Sequence, residues 1–213
     1  VDMSYLEMVC RENADRVGAV DMSYLEMVCR ENAGPNGMFP ICSLSAASNV
    51  TGILTDTYRA AQIIHGYGGL AFFDYATGAP YLKIDMNAPD NAHKDAVFIS
   101  AHKFVGGPGS PGILIAKRFL FSNPTPTTPA GGTVSFVSRS LIVYSENIEV
   151  KEEGGTPDII GSIRAGLVFQ LKASIGEDYI KSREDYLVAQ FLKHFKSNTK
   201  MAILGQTTSH KLP

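Results

Sequence analysis

Short apolar runs, each closed by a polar or glycine-rich stretch, recur along this chain from residue 38 onward. MFPICSLSA (38–46) reads as a buried strand that ends in the polar loop Ser48-Asn49-Val50-Thr51-Gly52. Thr55 or Asp56 can cap a helix through about Ile64, which Gly66 to Gly69 bring to an end. GLAFFDYA (69–76) and DAVFISAH (95–102) are two further buried strands. GILIA (112–116) follows so closely that no helical crossover fits between, so the pattern predicts an antiparallel neighbour. Beyond a loop rich in Pro, Thr and Gly (122–133) come two strand-like runs, TVSFV and SLIVYS. Two helices follow. The first starts at Thr156-Pro157, with Ile160, Ile163, Leu167 and Leu171 along one apolar face. The second carries Ile180, Leu187, Phe191 and Phe195, and MAILG (201–205) reads as a strand of a further unit. The fold class this predicts is α/β: a mixed, mostly parallel sheet with helices on both faces.

The first 37 residues do not share this alternation. VDMSYLEMVCRENA at 1–14 returns letter for letter at 20–33, joined by DRVGA. Repeats under structural selection drift on their surfaces, so perfect identity in two copies points to a recent duplication or an assembly error, not a solenoid. Each copy reads as a helix, with Ser4 and Glu7, or Ser23 and Glu26, in a capping-box pattern and Gly34-Pro35 as the stop. The predicted organisation is a duplicated helical segment (1–37), a main α/β portion (38–198) and the start of a further unit (199–213).

Composition narrows the function classes. Hydrophobic content of 45% and charged content of 19% are globular values, and the net charge of -2 is almost neutral. Lys and Arg are scattered, which leaves no footprint for nucleic acid or an anionic membrane. No apolar run approaches the ~20 residues that span a bilayer, and no signal peptide opens the chain. Cys10, Cys29 and Cys42 as thiols fit a reducing, cytoplasmic setting. None of the three cysteines or five histidines falls into a local metal-ligand spacing, so no metal site is expected.

Chemistry gathers at the strand ends, where open α/β sheets bind ligands. Asn49 follows the first strand, Asp74 ends LAFF, and Ser100, His102 and Lys103 end the third. Singly, each has an ordinary reading: an aspartate capping a turn, a lysine reaching to water, polar turn residues. As a set they suit a cofactor with one positive ring atom, a phosphate and an electrophilic carbon. The glycines at 106–112 lack the spacing of a nucleotide loop and let backbone pass close to the lysine.

SAASNVTG, FFDYA, FISAHKFVGGPGSPG and EEGGTPDIIGSIRAGL, in this order and spacing, resemble the class V aminotransferase family of pyridoxal-phosphate enzymes, which includes the cysteine desulfurases. The resemblance covers residues 41 to about 205 and implies the large-domain part of the fold type I architecture of those transferases. It implies that Lys103 holds pyridoxal 5'-phosphate as a Schiff base, that Asp74 pairs with the pyridine nitrogen, and that Asn49 bonds the phenolic oxygen. Ser100 and His102 match phosphate-binding positions, and Thr156 a phosphate contact that reaches across a homodimer interface to the partner subunit's cofactor. Thr156 as N-cap and Pro157 as first helical residue would leave backbone N–H groups facing that anion. A lysine desolvated near other positive groups attacks carbonyls more readily, which sets the expectation for Lys103.

Departures from the family pattern define the alternative. Thr77 stands where desulfurases usually carry a glutamine, and is retained as a cofactor-side position. Nothing before residue 38 resembles the family's phosphate-cradling helix or ring-stacking residue, and no cysteine follows Lys103. The expected function is an enzyme acting on an amino acid through Lys103, Asp74 and His102. The alternative is an inactive fragment or pseudo-enzyme lacking the phosphate cradle and the substrate arginine, with apolar sheet surface left open to solvent.

Overall fold

The computed structural model describes residues 19–33, 39–201, 203, 205 and 212. Its centre is one sheet of four strands in chain order: β1 (Ile41–Ser45), β2 (Leu70–Asp74), β3 (Ala96–Ser100) and β4 (Gly112–Ala116). The pairs β1–β2 and β2–β3 are parallel, and β3–β4 is antiparallel, as the short link between them predicts. Ser45 pairs with Asp74 and Asp74 with Phe98, so the three parallel strands finish along one edge.

Successive side chains of a strand point to opposite faces. Cys42, Leu44, Ala71, Phe73, Val97 and Ile99 are therefore buried together on one face. Against them pack Leu25 and Cys29 of α1 (Met22–Asn32) and Ala60, Ala61, Ile63 and Ile64 of α2 (Thr57–Gly66). The Sγ atoms of Cys29 and Cys42 lie 3.8 Å apart where α1 meets β1. On the other face Phe72 and Phe98 meet edge to face with ring centroids 6.5 Å apart, and Leu114 beside them is 52% exposed. This is the open apolar surface that the sequence led us to expect. A separate antiparallel hairpin, β5 (Val134–Val137) and β6 (Ile142–Tyr144), precedes the short helix α3 (Ile148–Glu152). Two long helices, α4 (Ile159–Ile175) and α5 (Glu177–Phe195), follow. Among the described residues no helix is long and apolar enough to cross a membrane.

Several local expectations are corrected. Helix α1 is capped by Asp21, whose carboxylate accepts the N–H groups of Ser23 and Tyr24 at 2.9 and 3.0 Å, so Ser23 lies inside the helix and forms no capping box with Glu26. The matching pattern in the first copy (Ser4, Glu7) and the Gly34-Pro35 stop fall outside the described residues. Asp56, one of the two candidates, caps α2 through the Arg59 N–H. Helix α4 starts at Ile159 and not at Thr156-Pro157, because Asp158 accepts the Gly161 N–H at 2.9 Å and takes the cap. Met201, Ile203 and Gly205 belong to no strand.

The long helices also turn differently from their apolar stripes. Ile160, Ile163 and Leu167 are 66%, 58% and 58% exposed, while Gly161, Ala165 and Val168 face inward. The reason is close approach. A Cβ on Gly161 would stand 2.8 Å from the Gly109 carbonyl oxygen, and the Arg164 guanidinium donates to the Pro108 carbonyl at 2.6 Å. Only a face of small residues lets α4 lie this near the backbone that follows β3. In α5 the buried residues are Val188 and Leu192, next in sequence to the expected Leu187 and Phe191.

Candidate functional site

The carboxyl edge of the sheet carries most of the residues singled out in the sequence. Asp74 is the last residue of β2 and is exposed; its carboxylate accepts the Ala76 N–H at 2.6 Å. The backbone around it is clamped from both neighbouring strands, by Ala46 N–H to the Asp74 carbonyl and by Tyr75 N–H to the Phe98 carbonyl, each 2.8 Å. Tyr75 then turns into the core, where its hydroxyl meets Thr57 Oγ1 at 3.1 Å. Burial pushes that phenol up to about 12, so it stays neutral at physiological pH.

Ser100 ends β3, and the chain folds at once into a 3-10 turn, Ala101–Lys103. Ala101 at the start of this turn and Phe104 just after it are buried, which leaves His102 and Lys103 facing outward. Phe104 seats the turn against Phe169 of α4, with ring centroids 4.8 Å apart. Gly107 closes the loop: a Cβ there would collide with the Ala101 carbonyl oxygen. Among the described residues Lys103 is exposed, which corrects the expectation of a desolvated amine. Its Nζ donates to Thr77 Oγ1 at 3.4 Å, bringing together the ends of β3 and β2.

Asn49 lies exposed in the turn after β1, whose backbone is organised by Ser48 Oγ accepting the N–H groups of Val50 and Thr51. A cavity of about 630 Å3 has Asn49 and Thr77 on one wall and Leu187, Val188 and Phe191 of α5 on the other. Thr156 stands apart. It is exposed in the coil before α4, and among the described residues no hydrogen bond joins it to the other candidates.

Sequence reasoning missed one positioning group here. Lys172 of α4 donates to the carbonyls of Ala79 and Leu82 at 2.9 and 2.5 Å, pinning the turn that carries Thr77. The contact joins positions about 90 residues apart, and no local pattern announces it. Together the rim offers an amine, a carboxylate, an amide, hydroxyls and an imidazole on one sheet edge. That donor set fits pyridoxal phosphate, which needs an amine for its aldehyde, an acid for its ring nitrogen and donors for its phosphate.

Comparisons with known proteins agree with this architecture. A family model described as Aminotransferase class-V matches residues 16–213. A probable cysteine desulfurase of Halalkalibacterium halodurans is 30% identical over 165 residues, which are 78% of this chain and 39% of that protein. One from Aeropyrum pernix is 31% identical over 149 residues, 68% of this chain and 35% of its own. Among solved structures, the apo cysteine desulfurase of Thermococcus onnurineus NA1 superposes with a TM-score of 0.75 at 21% identity, over 92% of this chain and 46% of that one. The Escherichia coli cysteine desulfurase CsdA, in its S-sulfonic acid form, gives 0.69 at 26% identity, over 79% and 41%. The chain thus spans about two fifths of the length of the curated relatives it matches.

Proposed function

This chain belongs to the class-V aminotransferase family, and from that premise we propose that it is the cofactor-anchoring part of a pyridoxal-phosphate enzyme of the cysteine desulfurase type, acting on an amino acid. The observation that carries the proposal is the Lys103–Thr77 hydrogen bond, on the same sheet edge as Asp74. When bound, pyridoxal phosphate supplies a protonated pyridine ring that draws electrons from the substrate Cα. Lys103 Nζ would hold the cofactor through its aldehyde and would take and return the substrate Cα proton. Thr77 Oγ1 orients that amine. Asp74 would keep the ring nitrogen protonated, and Asn49 would donate to the phenolic oxygen.

Ser100 and His102 would serve the phosphate, and Thr156 that of a second copy in a homodimer. Its exposed place ahead of α4 leaves it accessible to such a neighbour. Cysteine is the first substrate to try, given the names of the relatives. A cytoplasmic setting would keep Cys29 and Cys42 as thiols.

The exposure of Lys103 favours a second reading, an inactive relic of the same family. One experiment separates the two. The purified chain is mixed with pyridoxal phosphate, reduced with borohydride, digested and mapped for pyridoxyl-lysine. The first reading expects the label concentrated on the peptide holding Lys103. Label spread evenly over exposed lysines would establish the second.

A further inference from the structure

At the opposite end of the sheet, three side chains from separate elements converge. His65 sits in the last turn of α2, Asp95 immediately precedes β3, and His93 lies two residues before it. Their ligand atoms all fall within 4.8 Å of one another. His65 Nε2 is 2.8 Å from Asp95 Oδ2, and His93 Nε2 is 3.7 Å from Asp95 Oδ1. Asp95 is 2% exposed in its side chain, His65 9% and His93 36%, so the cluster is buried at its base and open at His93. Five residues of β3 separate it from the Lys103 turn, roughly 17 Å at ~3.3 Å per residue.

The hydrogen bonding matches that of metal-binding histidines. His65 Nδ1 lies 2.6 Å from the Asn91 carbonyl, which only accepts, so Nδ1 carries the hydrogen. Asp90 and Asn91, both at φ 59, form the left-handed turn that presents this carbonyl. In neutral His65 the Nε2 lone pair then points at a carboxylate oxygen, and two lone pairs at 2.8 Å need a cation to hold them together. Asp95 Oδ2 is itself fixed by the Ala71 N–H at 2.8 Å. Metal-bound histidines are oriented in this way, with the far ring nitrogen donating to a backbone carbonyl.

From this geometry we propose that His65, His93 and Asp95 form a binding site for a divalent transition metal of the zinc class. Two donors about 2.1 Å from a tetrahedral zinc ion stand about 3.4 Å apart, between the 2.8 and 3.7 Å observed. The rings of His65 and His93 are stacked, 4.0 Å between centroids and 14° between planes, so the two Nε2 atoms do not yet aim at one point. Binding turns the more exposed His93 ring out of the stack, and water fills the remaining position. The ion ties the end of α2 to the connection entering β3. The site shares no residue with the proposed cofactor rim and is independent of that reading.

The test uses the tag-free full chain, zinc in calorimetry and cobalt(II) in visible absorbance, beside His93→Ala. That substitution removes an exposed ring and leaves the buried His65–Asp95 pair intact; unchanged circular dichroism checks the fold. The expected result is one zinc per chain, with affinity reduced about 10-fold or more in the variant. Cobalt should give a tetrahedral visible band without a thiolate charge-transfer band in the near ultraviolet. Absence of binding, equal binding by the variant, or a thiolate band from Cys29 and Cys42 would overturn the proposal. In the first case the cation between His65 and Asp95 is only a proton.

Discussion

A Lys103→Ala chain is expected to lose the borohydride-stable pyridoxyl label altogether on the peptide spanning residues 95–117. The argument is one of chemistry and reach. Lys103 brings an aliphatic amine to the β3 end of the rim, and neither Asp74, Asn49, Ser100 nor His102 can form a stable carbon–nitrogen bond with an aldehyde. The fold should tolerate the change, because the side chain is exposed and its hydrogen bond to Thr77 is a long one, 3.4 Å. Lys103→Arg should fail equally despite its retained charge, since a guanidinium is always protonated and is no nucleophile at neutral pH. Noncovalent binding should persist in both variants through the Asp74 and phosphate-side contacts. Equal labelling of that peptide in the parent and the alanine variant would place the reactive amine at Lys117, which the same peptide contains, and would end the proposed role of Lys103.

Phe73→Ala is expected to cost about 3–5 kcal/mol, the range for deleting a fully buried aromatic ring. Phe73 is 0% exposed in the middle strand, pairing with Leu44 on one side and Val97 on the other. It also supports Lys94, whose amine is 5.7 Å from its ring centroid and 4.4 Å from that of Tyr58. Burial holds this amine below the usual lysine value, so a cavity beside it would disturb more than apolar packing. Against a total stability of about 5–15 kcal/mol, the loss is a large share. Phe72→Ala, one residue away on the open face, should cost only about 1 kcal/mol, chiefly the edge-to-face contact with Phe98. Urea midpoints compare the two. Equal losses would mean that the open face is covered in solution.

Much of this was legible in the chain. The strands could be read because each is a short apolar run closed by polar residues, and β4 was antiparallel because eleven linking residues, rich in Gly and Pro, could not return a parallel strand. Asp74 and Lys103 could be placed on one edge because both end strands of one parallel set. Helix α4 was harder. Periodicity found its stripe of Ile160, Ile163 and Leu167 but not the face it buries, because steric clearance at Gly109 outweighed hydrophobicity. The loss of the cap from Thr156 to Asp158 follows from one carboxylate placed to take the Gly161 N–H. His65, His93 and Asp95 escaped for another reason. His65 and His93 are 28 positions apart, joined by the α2–β2–β3 path and by no local spacing.

The pairing of α1 with the sheet has a consequence for the doubled N-terminus. The berth formed by Cys42 and the residues around it recognises Leu25 and Cys29, and the chain offers the same sequence twice. Side-chain contacts cannot choose between identical occupants, so tether length must. Nine positions separate Asn32 from Ile41, whereas 28 separate Asn13 from it. Loop-closure entropy favours the nearer copy by about 1 kcal/mol, roughly five to one. If the copies exchange, Cys10 would replace Cys29 beside Cys42, and the proportion in which a short thiol cross-linker captures each to Cys42 measures that exchange.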